Sequence, residues 1–441
     1  MSRNNLFGIA CKTCRRRGRK CDRSLPTCMS CSRRGVECEG YVLRWVDAAI
    51  RRPLAGQNSR AISILRRQSR SITLIVGTAS DNLGGLVKYY AREISAAFYF
   101  GHGPVETPYT CHILPMIRNI PSIRCVVAAS AACHLGNRLD DDQLKRQSLH
   151  LRLKATELLR AELEIHPLEP DLACLVCMLL LAQLDVCSGD CAEFDIHLKA
   201  ASTFIKLRGS DGTERCLIEQ RIAWLDVMEA TTNPRMPHLS PDDIKATLNK
   251  FRTPSGRREW GFDVFYYPID LFEYIADIAI LYKLQPDSRN MRRDAIQKAI
   301  LLGNAIKSWD ASTDSGPRRH MVEVWRSGTL LYLIRLFRLP NDIFNTQNLT
   351  DGIFHHARAI PSKTSWSYST SWPLFQAGLL LPRECSQTKS WLRNELYTNF
   401  RTLGCFHQKL AVEALEQVWR SGKDRTYDLS NADFPQRKLI L

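Results

Sequence analysis

The 441-residue chain has no apolar run long enough to cross a membrane: its most hydrophobic stretch, LACLVCMLLLAQL (172–184), is about two thirds of the roughly 20 residues a span needs. That stretch reads as a buried helix. The opening MSRNNLFGIACK lacks the apolar centre of a secretory signal, so a disulfide framework is not the expected use of the 16 cysteines. No alternating run argues for strands, and no heptad pattern lasts the three or four repeats of a coiled coil. The histidines are scattered, without H-E-x-x-H or G-x-S-x-G, and no glycine-rich loop ends in Lys-Ser/Thr, which speaks against an enzyme. Acidic residues are scarce at the start. Residues 1–72 hold 4 Asp/Glu against 17 Lys/Arg, whereas the other 369 hold 41 against 44. The formal net charge of +16 therefore sits mostly in the first sixth, which predicts a polyanion partner there and none for the remainder. A membrane surface is the poorer candidate, because residues 12–20 carry no aliphatic or aromatic side chain to enter it.

What is present is a doubled cysteine spacing. CKTCRRRGRKC (11–21) and CMSCSRRGVEC (28–38) are both C-x2-C-x6-C, and their overlay also pairs Arg16 with Arg33, Arg17 with Arg34 and Gly18 with Gly35. A structural zinc takes four thiolates in a tetrahedron, so two zincs need eight bonds. Six cysteines supply eight if two of them bridge. Cys11, Cys14, Cys21, Cys28, Cys31 and Cys38 thus fit a two-zinc cluster better than a four-cysteine site with two thiols left over. Each half reads as a ligand pair, a short helix, a glycine stop in the left-handed region and a third ligand. Pro26 suits the joining turn.

This stretch resembles the binuclear zinc cluster of fungal transcription regulators, which has the same cysteine spacing and a proline-bearing loop between the halves. The resemblance implies two zinc ions, Cys11 and Cys28 as bridging ligands, and a first helix that enters the DNA major groove. It also implies a nuclear regulator of RNA polymerase II genes that works with the transcription machinery and reads CGG-type triplets, commonly as a dimer. One position differs: Gly18 stands where the family often carries a base-reading lysine. The competing reading is a zinc-stabilised basic module for RNA or protein. RNA recognition favours aromatic stacking, and residues 8–40 contain no Phe, Tyr or Trp. The halves differ after their shared Arg-Arg-Gly, with Arg19 and Lys20 in the first and Val36 and Glu37 in the second. The first half is therefore expected to face double-stranded DNA, with Arg17 and Arg19 as base readers and Arg15, Arg16, Lys20 and Arg23 on phosphates.

Beyond a basic linker (41–80), apolar residues recur at helical spacing in 86–100, 122–139, 141–165, 171–187, 193–209, 214–230, 270–284, 291–309, 321–337 and 391–419, the last broken near Gly404. Loops are expected at 231–242, 252–268, 310–319 and 338–390. The expected fold class is all-α: a zinc module (1–40), the linker, a large helical regulatory domain (81–425) and a tail (426–441). This domain also resembles the one that follows such clusters in fungal regulators, in PYTCHILPMIRNIPSIRCVVAASAACHLGN (108–137) and AVEALEQVW (411–419). With no coiled coil in the linker, any homodimer is expected to form through the helical domain. Cys174, Cys177, Cys187 and Cys191 lie in Leu/Met-rich surroundings and are expected in the core and not on a metal.

Overall fold

Apolar side chains on every face of one segment, 172–188, decide where the centre of the large domain lies. The computed structural model describes residues 12–21, 28–38, 79–95, 109–165, 171–208, 213–250, 260, 268–284, 289–309 and 316–421, and among them every regular element is helical. Two short helices, α1 (Lys12–Arg16) and α2 (Met29–Ser32), carry the zinc module. The large domain begins at α3 (Ala79–Tyr89), which widens into a π-helical turn, Tyr90–Ile94. A second π-helical turn, Tyr109–Ile113, leads to α4 (Pro121–Leu139), α5 (Asp142–Ile165) and α6 (Leu172–Ser188).

Pro121 opens α4 and Asp140, left-handed at φ 52°, closes it, its N–H donating to the Gly136 carbonyl. Ala128, Ala129, Ala131 and Ala132 are fully buried in this helix. Their small side chains let α5 and α6 approach closely. In α6 nearly every side chain is buried, as expected of a helix with no polar face. Asp171 caps its start by accepting from the Cys174 N–H at 3.0 Å. Its one buried acid, Asp185, is held 2.7 Å from Arg152 of α5.

The chain continues through α7 (Phe194–Arg208), α8 (Thr213–Ala230), α9 (Pro241–Leu248), α10 (Ile269–Lys283), α11 (Arg289–Ser308) and α12 (Gly316–Phe337). The segment 338–390 departs from the expected loop. It contains α13 (Thr346–Ala359), a turn at Ser365–Tyr368 and α14 (Ser371–Leu379). Its first helix keeps a helical period of its own in Leu349, Ile353, Phe354 and Ala357, while prolines and serines crowd the part after residue 360, where Trp372, Leu374 and Phe375 are nonetheless fully buried. Trp372 stacks on Trp325 of α12, centroids 5.4 Å apart, and donates its indole N–H to Thr231 at 2.9 Å.

The break near Gly404 is present, between α15 (Ser386–Leu403) and α16 (His407–Ser421). Gly404 has φ 63°, and a Cβ there would meet the His134 carbonyl oxygen at 2.7 Å, so both conformation and space demand glycine. Asn137 of α4 locks the junction, donating to the Gly404 carbonyl at 2.7 Å and the Cys187 carbonyl at 2.9 Å. The last two helices are thereby tied to the central pair.

Candidate metal centre and nucleic-acid interface

The two halves bring three of their sulfurs together. Cys14, in α1, and Cys28 and Cys31, at the start of α2 and within it, have sulfurs within 4.8 Å of one another, the Cys14 sulfur lying 3.6 Å from that of Cys28 and 3.7 Å from that of Cys31. Two thiolates on one tetrahedral zinc, at a bond length of about 2.3 Å, stand about 3.8 Å apart. The observed spacing fits that metal. All three thiols are nearly or wholly buried, and Cys21, Cys38 and Val36 pack around them half-buried. None of the described cysteines is in a disulfide. Cys28 also caps α2, its sulfur accepting the Cys31 N–H at 3.2 Å, where the positive helix end favours a thiolate.

Each half ends as the glycines require. Gly18 and Gly35 have φ 59° and 60°, and beyond each the next N–H reaches back five residues, Arg19 to the Cys14 carbonyl at 2.9 Å and Val36 to the Cys31 carbonyl at 3.2 Å. This is the Schellman closure of a helix end. The two halves also clasp each other. The Thr13 hydroxyl donates to the Glu37 carbonyl at 3.1 Å, and the Ser30 hydroxyl donates to the Lys20 carbonyl at 2.9 Å. Thr13 and Ser30 hold equivalent places in the duplication, as do Glu37 and Lys20, so the pair of bonds obeys a local two-fold relation. Sequence reading missed it. The only available signal was a hydroxyl residue just before the second cysteine of both copies.

Arg16, Arg17, Arg19 and Lys20 are exposed, as are Arg33, Arg34 and Glu37. Both halves therefore offer their Arg-Arg pair to solvent, and the difference between them lies in the two residues after the glycine. Val36 turns in against the sulfurs, whereas Arg19, its counterpart, is exposed. Cys11 and Arg23 lie outside the described residues, as do the Arg15 side chain and linker residues 41–78. Cys174, Cys177, Cys187 and Cys191 are buried in the helical core, where burial pushes the Cys174 thiol up to about 12. Among the described residues the only three-ligand group is that of Cys14, Cys28 and Cys31.

Comparison with known families agrees with this geometry. Residues 9–44 match the fungal Zn(2)-Cys(6) binuclear cluster domain, and residues 85–432 match the fungal specific transcription factor domain. The chain belongs to the fungal-specific transcription factor family. None of the curated proteins and none of the solved structures matches it. In this family the six-cysteine cluster binds two zinc ions, and the gathered sulfurs of Cys14, Cys28 and Cys31 belong to that cluster. As a fungal-specific transcription factor the chain is a zinc-dependent, DNA-binding regulator of transcription, non-enzymatic in type and nuclear as the family is.

Proposed function

We propose that the chain is a sequence-specific regulator of RNA polymerase II genes that reads double-stranded DNA with the first half of its zinc cluster. The observation that carries this reading is the asymmetry inside a symmetric module: two superimposable halves, of which only the first continues past its glycine with exposed Arg19 and Lys20. A carboxylate at the matching place, Glu37, repels phosphate. In this reading Cys11, Cys14, Cys21, Cys28, Cys31 and Cys38 hold the two zincs, with Cys11 and Cys28 bridging. Arg17 and Arg19 flank the left-handed Gly18 and reach base edges, where a guanidinium fork matches guanine O6 and N7. Arg15, Arg16, Lys20 and Arg23 bind phosphates. The cluster module comprises residues 1–40, the linker 41–80 and the regulatory domain 81–425, followed by a tail, with dimer contacts in the regulatory domain. A CGG-type triplet is the expected half-site. The chain has no catalytic role.

Selection of bound sites from random duplex DNA by the full-length protein tests this directly. An enriched triplet is expected, with a second copy at fixed spacing if the chain dimerises. Arg17→Ala or Arg19→Ala should relax the preference at one base, by about 1–3 kcal/mol of discrimination. Lys20→Ala should weaken all sequences alike and flatten the salt dependence by roughly one unit of slope. Arg33→Ala and Arg34→Ala should do less than either. No enrichment of any sequence would reject specific DNA reading, and dominance of Arg33 and Arg34 would turn the module round.

A further inference from the structure

The helical domain holds a partly open cavity of about 130 Å³ beside its central helices, with mostly apolar lining surface and residues from α4, α6, α8, α12 and α16 in its wall. A dry cavity of roughly 150 Å³ takes benzene, so this one suits a body of about one six-membered ring. Several polar groups converge on it, Arg221, Gln183, His134 and His407 among them, as in a small-molecule site. Arg221 of α8 lines it, with the guanidinium carbon 4.3 Å from the centroid of Trp224, another wall residue. Burial pulls the Arg221 pKa down, and its charge interaction and hydrogen bond with Tyr109 pull it up; Tyr109 also accepts from Gln183 at 2.8 Å. Among the described residues that line the cavity there is no Asp or Glu.

His407 supplies a second polar group. Its side chain is 8% exposed, and its Nε2 stands 2.9 Å from the side-chain amide of Gln408. Its Nδ1 is a buried atom with no hydrogen-bond partner among the described residues. Burial holds the His407 pKa down at about 4, so the ring is neutral at pH 7. A buried ring nitrogen without a partner is costly, and a polar group on an occupant of the cavity would satisfy it. A cation on an aromatic face beside a ring-sized apolar space calls for one kind of occupant.

We propose that this cavity binds a small organic carboxylate with a flat apolar body, its carboxylate on Arg221 and its body against the aromatic part of the wall. The site is independent of the DNA-binding reading, and failure here would leave that reading untouched. Titration calorimetry of the full-length protein with sodium benzoate and with benzamide, which has the same shape without the charge, tests it. Benzoate should bind with Kd on the order of 1 mM or tighter, within the range for nine heavy atoms, and benzamide should bind at least about tenfold more weakly, the low end for a charge-assisted contact. Arg221→Gln should erase the difference, and Ser369→Phe, which projects a ring from a half-buried wall position, should block both ligands. Absence of benzoate binding at roughly ten times that concentration, equal affinity for benzamide, or full benzoate affinity in Ser369→Phe would each overturn the proposal. If Arg221→Gln loses its helical circular dichroism, the benzoate and benzamide contrast in the unmutated protein and the Ser369→Phe result still decide it.

Discussion

In the zinc module the side chains most withdrawn from water are three cysteines and a threonine; in the helical domain they include Trp325, Trp372, Tyr332, Phe194, Phe272 and Phe375. Among the described residues of this module of about 30, one aliphatic side chain, Val36, packs against the sulfurs. Burying one valine is worth about 1.5–3 kcal/mol, far below the entropy of fixing so many residues. The helical domain, by contrast, buries a continuous core from Leu86 to Val418. One fold is therefore conditional on its metal and the other on its apolar surface, although a single chain carries both.

The largest test of that contrast is metal removal. Structural zinc contributes on the order of 10 kcal/mol or more to the folding of small modules. A strong chelator should therefore unfold the module and abolish DNA binding while leaving the helical circular dichroism and the thermal midpoint of the large domain in place. Zinc analysis should give two ions per chain, and Cys28→Ala, which removes a proposed bridge, should lose both. One ion retained in Cys28→Ala would remove Cys28 from the bridging role, and collapse of the helical signal on chelation would break the comparison itself.

The converse experiment strikes the core. Trp372 is fully buried, stacks on Trp325, meets Tyr332 edge-on at 5.4 Å and bonds Thr231. Trp372→Ala should cost about 5 kcal/mol, the upper range for an aromatic truncation because the Thr231 hydroxyl also loses its partner. Zinc content should remain two per chain. Denaturant unfolding followed by helical signal, with zinc assayed on the same samples, separates the effects. Zinc loss in this variant would show that the two parts fold as one.

These two parts differ as much in how far they can be read from sequence. The cysteine spacing, the glycine stops and the Gly404 break are signals carried by a few adjacent residues, and the structure shows the stops and the break as expected. The helices from 122 to 230 are equally local: a repeated apolar period is enough. In segment 338–390 the period of α13 is present but easily missed among polar residues, whereas α14 is nine residues long, too short to show one, and owes its place to tertiary burial of Trp372 and Phe375. In the sequence Arg221 is one polar residue within the helical period of 214–230. Only the packing of α4, α6 and α16 around it makes it part of a cavity. The Thr13 and Ser30 bonds span 24 and 10 residues and follow no local rule.

Acid should distinguish the two parts in a different way. Burial holds His134 down at about 3, and His197 and His407 at about 4. Between those values and about 6.5 the unfolded chain binds protons that the folded chain refuses, so stability is full above 6.5 and is lost as pH falls. Asp185 acts in the opposite sense: burial raises it to about 8 against the pull of Arg152, so the folded chain keeps a proton that the unfolded chain releases. The three histidines outweigh the one aspartate, and the balance comes to about 1.5 kcal/mol between pH 6.5 and 5.5. The thermal midpoint of the helical signal should fall accordingly. Zinc-free Cys28→Ala should show the same curve, because the responsible groups all lie in the helical domain; a flat profile would mean that these side chains are hydrated.

The smallest effect tests the local two-fold of the module. Thr13→Val and Ser30→Ala each remove a hydroxyl that bridges one half to the backbone carbonyl preceding the last cysteine of the other. A hydrogen bond of this kind contributes about 1 kcal/mol net. Because zinc binding and folding of the module are one equilibrium, that loss should be read as zinc affinity roughly fivefold weaker, measured by competition with a chromophoric chelator. The two variants should not be equal. Thr13 is 2% exposed and Ser30 is half-buried, so the carbonyl of Glu37 is less open to replacement by water than that of Lys20, and Thr13→Val should be the more damaging. Since the bonds sit on opposite sides of the pseudo-two-fold and share no atom, the double variant should show the product of the single effects. A double variant no worse than Thr13→Val alone would mean that one bond suffices to close the module and that the symmetry is geometric without being energetic. In every case the thermal midpoint of the helical domain should stay where it is, which is the sharpest form of the contrast between a metal-held and a core-held fold.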